Sequence, residues 1–190
     1  MVEPDYNELM EECCRIALKR DPEEVPPFVG ALIWYGGCII AEGYISQKKK
    51  KFKERDKRHD KGHGKSFKRT AQARPQARYL NVRVHAEEMA ISNAENNAAY
   101  IPSEAILVTT LEPCIPGLRR DGGRKSQTSC CELISERGFR RVVIGQYELT
   151  KRMNSYQGFV YLKERGIEVI TNEKITGIAL QSDANYPYRP

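Results

Sequence analysis

The stretch Ala105-Ile106-Leu107-Val108-Thr109-Thr110-Leu111-Glu112-Pro113-Cys114 decides how the chain is read. Ala105 to Thr110 is a short, β-prone, largely apolar run and predicts a buried strand. Pro113-Cys114 follows it after Leu111-Glu112. Upstream, His85 to Asn97 is dense in Ala, Glu and Met and predicts a helix. Downstream, Pro113 to Thr128 is a polar, glycine-containing loop, Ser129 to Arg137 a helix ended by Gly138, and Arg141 to Gly145 the next strand. Tyr156 to Glu164 predicts a helix and Gly166 to Ile170 a last strand, and after Thr171 the pattern is weak.

The first third opens with a helix from Asp5 to Arg20, with Leu9, Cys13, Ile16 and Ala17 at helical spacing and Pro22 as its stop. Val29 to Tyr35 and Cys38 to Tyr44 are β-prone runs joined by Gly36-Gly37, a hairpin signature. Trp34 falls in the first run and is expected in the core. From the hairpin onward the order is strand, strand, helix, strand, helix, strand, helix, strand. Such alternation predicts a largely parallel α/β sheet flanked by helices, with the hairpin supplying the antiparallel part.

The 190 residues, 40% of them hydrophobic, suit one packed domain. We expect a single domain over 1–190, with a basic insertion at about 46–82 and a C-terminal tail from about 172. No apolar run approaches the roughly 20 residues that span a bilayer. Met1 to Glu12 is acidic and lacks a secretion-signal layout, so a soluble cytoplasmic protein is expected. Four of the six cysteines form adjacent pairs (Cys13-Cys14, Cys130-Cys131), a poor layout for disulfides and a better one for core packing or metal binding.

The net charge of +6 is concentrated in one segment. Between Lys48 and Arg78, 14 Lys or Arg against 3 Asp or Glu leave +11, so the rest of the chain carries −5. Either this segment meets an anionic partner, a phosphate or a nucleic acid, or it is a solvated loop. His59 and His63 lie within it, with no thiolate or carboxylate pattern to make them a metal site.

His85 and Glu87 open a predicted helix, Cys114 ends a strand, and Cys130 opens another helix. One imidazole and two thiolates give a metal three protein ligands and leave a fourth position for water, the pattern of a catalytic zinc. Helix starts favour thiolate over thiol. Bound zinc lowers the pKa of water toward ~7. Attack on an amidine-like ring carbon also needs a proton moved to a ring nitrogen and then to the departing amine, and Glu87, beside the metal without binding it, suits that task. His-x-Glu with Pro-Cys and a second thiolate is the signature of nucleobase zinc deaminases, in which the His and the two thiolates are the donors and the Glu is not. Here 15 residues separate Cys114 from Cys130 instead of two. Cys130 is the preferred ligand because it begins the helix that continues through Leu133 and Ile134. Cys131, about 100° around that helix, is the alternative.

These motifs, with Val29-Gly30-Ala31-Leu32-Ile33, Ile39 to Tyr44, Arg141 to Gly145 and Gly166-Ile167-Glu168-Val169, resemble the cytidine deaminase-like superfamily, most closely its riboflavin-biosynthesis pyrimidine deaminase branch. The resemblance covers most of residues 5–171 outside the basic insertion. It implies a three-layer α-β-α fold, with a five-stranded mixed sheet in order 2-1-3-4-5, strands 4 and 5 parallel, and helices on both faces. It also implies a homo-oligomer, often a dimer or tetramer. The branch has Pro-Asn-Pro before the first strand, where this chain has Val25-Pro26-Pro27. It also has a His after Pro-Cys, which is missing here, and a Gly-Arg, present but displaced as Gly123-Arg124. No reductase domain follows in these residues. A specialised relative is therefore expected.

Arg119, Arg120, Arg124 and Lys125 lie between the two thiolates, where they could bind a substrate phosphate or be ordinary surface charge. Glu112 could orient the turn or be an ordinary turn residue. Three functions remain open. The first is a zinc deaminase of a small phosphorylated substrate, a nucleotide or aminopyrimidine nucleotide. The second is a polynucleotide deaminase that grips RNA or single-stranded DNA through Lys48–Arg78, although Phe52, Phe67 and Tyr79 offer little stacking. The third is a non-catalytic zinc-stabilised module, against which an intact Glu87 argues.

Overall fold

The structure is a computed structural model that describes residues 3–19, 28–51, 79–98, 100–117, 128–147 and 157–184. Helix α1 (Tyr6–Ala17) starts where the Asp5 carboxylate accepts the Asn7 N–H at 2.8 Å, satisfying one of the N–H groups that a helix start leaves over. Strands β1 (Gly30–Tyr35) and β2 (Cys38–Tyr44) pair antiparallel across Gly36 and Gly37, which hold φ of 61° and 93°. Both values lie in the left-handed region that a tight hairpin demands and that glycine enters without strain. Next come β3 (Ser46–Lys51), β4 (Tyr79–Val84), α2 (Ala86–Ala98), β5 (Ile106–Leu111), α3 (Cys130–Glu136), β6 (Arg141–Gln146), α4 (Gln157–Glu164), β7 (Glu168–Ile170) and α5 (Glu173–Ala184).

Five strands form one sheet in the order β2-β1-β5-β6-β7. The expected order 2-1-3-4-5 is this arrangement, counting only the strands of the sheet. β5 pairs parallel with β6 and β6 parallel with β7, while β1 pairs antiparallel with both β2 and β5. The sheet is thus evenly mixed, not largely parallel with antiparallel pairing confined to the hairpin.

Alternate residues of the central strands separate two cores. Ala31, Ile33, Leu107, Val142 and Ile144 pack with Ala86, Ala90, Ile91, Ala94, Ile134 and Leu162 of α2, α3 and α4. Leu32, Ile106, Val108 and Val143 pack on the other side with Met10, Cys13 and Ile16 of α1 and with Ile175 and Ala179 of α5. The period-2 geometry of a strand puts neighbours on opposite faces, so each strand must be apolar throughout, and helices cover both sides. Trp34, expected in the core, is half-buried at its rim. Helix α5 occupies the tail whose pattern reads as weak. Among the described residues, no helix is long and apolar enough to cross a membrane.

The two ends of the basic insertion are not loop. β3 and β4 pair antiparallel as a separate two-stranded ribbon, from Ser46 opposite Val84 to Lys51 opposite Tyr79. Lys48 to Lys51 are therefore strand residues. His59, His63 and the rest of 52–78 lie outside the described residues.

Candidate metal centre

Three segments converge at the ends of β4 and β5 and the start of α3. β4 ends at Val84, and His85 follows as the residue that launches α2, its carbonyl accepting the Met89 N–H at 3.0 Å. α2 lies close on the sheet because its inner stripe is Ala86, Ala90 and Ala94, all 0% exposed, and because β2 presents Gly43 beneath it. A Cβ on Gly43 would overlap the Ala86 carbonyl and the Ala90 amide. Small residues on both surfaces let the backbones approach, and that approach sets the height of His85 and Glu87 over the sheet.

Cys114 leaves β5 through Glu112-Pro113. α3 begins at Cys130 because Ser129 caps it: the Ser129 hydroxyl accepts the Glu132 N–H at 3.1 Å, and Glu132 Oε2 accepts the Ser129 N–H at 2.8 Å. This reciprocal pair fixes the first turn. As a result the Cys130 N–H donates to Cys114 Sγ at 3.3 Å and the Cys131 N–H donates to the Cys114 carbonyl at 3.1 Å.

His85 Nδ1 lies 3.6 Å from Cys114 Sγ and 3.4 Å from Cys130 Sγ, and the three donor atoms all fall within 4.8 Å of one another. The Cys114 thiol is pushed down to about 4, first by the hydrogen bond from the Cys130 side chain, then by the hydrogen bond and charge of His85 and the Cys130 N–H, against burial that acts the other way. One imidazole and two sulfurs, one of them readily ionised, suit zinc and leave a coordination position open.

Cys131 turns away. It is fully buried, and its thiol donates to the Pro113 carbonyl at 3.3 Å, with the Gly158 carbonyl 3.9 Å away. Burial pushes its pKa up. Cys130 and Cys131 are neighbours in sequence, but only Cys130 points to His85.

Glu87 is 3% exposed and reaches the same spot from α2, with Oε2 3.5 Å from Cys130 Sγ. Burial pushes its carboxyl above the usual range, partly offset by the charge of His85. Thr109 lies 3.4 Å from Glu87 Oε1 and 3.0 Å from the Leu111 carbonyl. Sequence reading did not single out Thr109. It shares strand parity with Leu107 and so faces the α2 side, and a hydroxyl on that face of a buried strand was the available signal. Glu112, left open between two roles, is 7% exposed and its Oε1 accepts the Phe159 N–H of α4 at 2.9 Å. Arg119, Arg120, Arg124 and Lys125 lie outside the described residues.

Residues 4–146 match the family model described as "Cytidine and deoxycytidylate deaminase zinc-binding region". No curated protein sequence matches the chain. Among solved structures, the chain is similar to a diaminohydroxyphosphoribosylaminopyrimidine deaminase/5-amino-6-(5-phosphoribosylamino)uracil reductase from Thermotoga maritima, with 24% identity, a TM-score of 0.56 and coverage of 94% of this chain and 40% of that one. It thus spans well under half of that two-activity protein. It is also similar to a dCMP deaminase from the cyanophage S-TIM5 in complex with dCMP and dUMP, with 19% identity, a TM-score of 0.54 and coverage of 90% and 98%. A third is the Aspergillus oryzae Rib2 deaminase in complex with DARIPP, with 19% identity, a TM-score of 0.54 and coverage of 87% and 82%. At these identities the likeness is one of fold.

Proposed function

The chain belongs to the cytidine and deoxycytidylate deaminase zinc-binding family, and we propose that it is a zinc-dependent hydrolytic deaminase of a small phosphorylated substrate, a nucleotide or an aminopyrimidine nucleotide. The observation that carries this reading is the placement of Glu87, buried against the three convergent donors although it is not needed as a fourth. In this reading His85, Cys114 and Cys130 hold the zinc.

Zinc held there supplies water acidified enough to attack near neutral pH. The chain's own residues do the rest. Glu87 takes a proton from the attacking water and gives it to the ring nitrogen next to the carbon under attack. It then carries the water's second proton to the exocyclic amine, which leaves as ammonia while the carbon keeps the oxygen as a carbonyl. A carboxyl whose pKa is raised by burial suits both steps, because it takes and gives protons closer to working pH. The hydroxyl of Thr109 lies within reach of one carboxyl oxygen and can hold its orientation.

Phosphate recognition is assigned to Arg119, Arg120, Arg124 and Lys125. They lie on the stretch that leaves the site at Cys114 and returns at Cys130, and guanidinium groups suit phosphate oxygens. The cyanophage deaminase, whose ligands dCMP and dUMP carry a phosphate, supports this class of substrate. The resemblance to the riboflavin branch supports a homo-oligomer, which light scattering would measure.

The test is to incubate pure protein with a panel of nucleotides and aminopyrimidine nucleotides, following ammonia and the exchange of one amine for oxygen by mass spectrometry. Turnover of at least one small nucleotide is expected. Editing of a single-stranded oligonucleotide with no small nucleotide consumed would sink the reading.

One observation favours a polynucleotide substrate instead. Lys48 to Lys51 stand on β3, whose partner β4 runs straight into His85, so the basic ribbon is rooted at the metal site. A grip on many phosphates gives binding that weakens steeply with salt. Oligonucleotide binding that is absent or insensitive to salt removes this option.

A further inference from the structure

Two helices hold the turn that carries Cys114. α3 does so through three contacts: the N–H groups of Cys130 and Cys131 and the Cys131 thiol all donate to Pro113 or Cys114. α4 does so through one side chain. Glu112 Oε1 accepts the Phe159 N–H at 2.9 Å, in the first turn of that eight-residue helix. Gly158 lies beside it, where a Cβ would overlap the Pro113 carbonyl oxygen and stand 2.9 Å from Glu112 Cγ. The first turn of α4 therefore rests directly on the Pro113 carbonyl and the Glu112 side chain, with no side chain of its own at Gly158 to hold it off. On its other side the Glu112 N–H donates to the Gln146 carbonyl of β6 at 2.8 Å. Glu112 joins β6, α4 and the metal turn two residues before Cys114.

We propose that Glu112 is a positioning residue for the metal centre: by clamping the start of α4 onto Pro113 it keeps the Cys114 sulfur within reach of His85 and Cys130. This rests on the zinc reading given above. The feature that matters is an oxygen acceptor of the right reach. Glu112→Gln keeps a carbonyl oxygen for the Phe159 N–H. Glu112→Ala leaves that N–H without this acceptor and opens a space beneath the turn, so the turn and its sulfur gain freedom.

The test compares wild type, Glu112→Ala and Glu112→Gln, all well below their melting temperatures. Zinc affinity is measured against a chromogenic chelator, and alkylation of Cys114 is followed in the chelator-stripped proteins. Glu112→Ala is expected to bind zinc about 10- to 100-fold more weakly, the range for loss of a group that orients a metal ligand. Its stripped form should alkylate faster at Cys114, and Glu112→Gln should stay near wild type in both measurements. With an active substrate in hand, kcat should fall in Glu112→Ala while KM holds. Wild-type zinc affinity and wild-type Cys114 alkylation in Glu112→Ala, with only the melting temperature lowered, would overturn the proposal. If wild type itself binds no zinc, the zinc reading fails on that result alone, and the alkylation of the stripped proteins still decides whether Glu112 holds the turn.

Discussion

The main-chain N–H of Cys130 lies 3.3 Å from the sulfur of Cys114, although 15 residues separate the two in sequence. A two-residue spacer is therefore not needed to bring the sulfurs together. Lengthening a loop costs little, about 0.6 kcal/mol for each doubling, provided that both ends are anchored by other means. Here β5 and the Ser129 cap anchor them.

This geometry separates the vicinal cysteines by experiment. Cys130→Ala should abolish stoichiometric zinc binding. Cys131→Ala should keep it and instead lose stability by about 1–3 kcal/mol, as expected when a buried carbonyl, that of Pro113, loses its donor and the packing around the sulfur is lost. Zinc content of dialysed protein and urea unfolding check both. Zinc lost from Cys131→Ala and kept by Cys130→Ala would reverse the assignment.

Glu87→Gln keeps the shape of the side chain and removes its proton chemistry. Turnover should fall about 10²- to 10⁴-fold, the usual worth of a general acid–base, with zinc retained. Stability should shift with a defined sign. Burial raises the native pKa of Glu87 above its unfolded value. The native state therefore holds the proton longer, and stability that is complete below the unfolded pKa is lost as pH rises through the native one. In the stripped proteins, the melting temperature of Glu87→Gln should gain on wild type as pH is raised from 4 toward neutral. A constant gap would mean that Glu87 titrates normally.

Gly43→Ala tests whether α2 is placed by close backbone contact. The added methyl would meet the main chain of Ala86 and Ala90, atoms that cannot rotate aside. Overpacking of this kind costs about 1–3 kcal/mol, and moving α2 moves His85 and Glu87. We expect a lower urea midpoint together with a fall in activity. Wild-type activity at a lowered midpoint would show that α2 relaxes without disturbing the site.

Thiol labelling of the stripped protein gives an order of reactivity. Cys114 is half-buried and its thiol is pushed down to about 4, so it should be labelled at pH 6, and zinc should protect it. Cys13 and Cys131 are 0% exposed, donate to main-chain carbonyls and are pushed up by burial, so they should be labelled only after denaturation. Mass spectrometry of labelled peptides reads the order directly. Early labelling of Cys131 would contradict the packing described.

Most elements were legible because each carries a local signal: Gly36-Gly37 for the hairpin, helical spacing of Leu9, Cys13, Ile16 and Ala17, and the unbroken apolar run from Ala105. Three features had none. Among its described side chains, helix α5 buries Ile175 and Ala179, and Ala179 fits because Gly145 of β6 offers no side chain, so the apolar signal there is thin. The β3–β4 ribbon pairs through its backbone and needs no apolar pattern, so its lysines read as loop. The antiparallel pairing of β1 with β5 follows from the path of the chain between them, since an apolar run has no direction of its own.

The sequence by itself determined the chemistry on offer: an imidazole, thiols and a carboxylate at the edges of predictable elements, because donor type and local periodicity are properties of residues. Tertiary structure decided which of those groups meet. The turn of α3 set by Ser129 aims Cys130 at His85 and Cys131 at Pro113, and the contact between Glu112 and Phe159 joins residues 47 apart. Such choices depend on the rotation and docking of whole helices, which packing over the sheet settles and no local stretch of sequence contains.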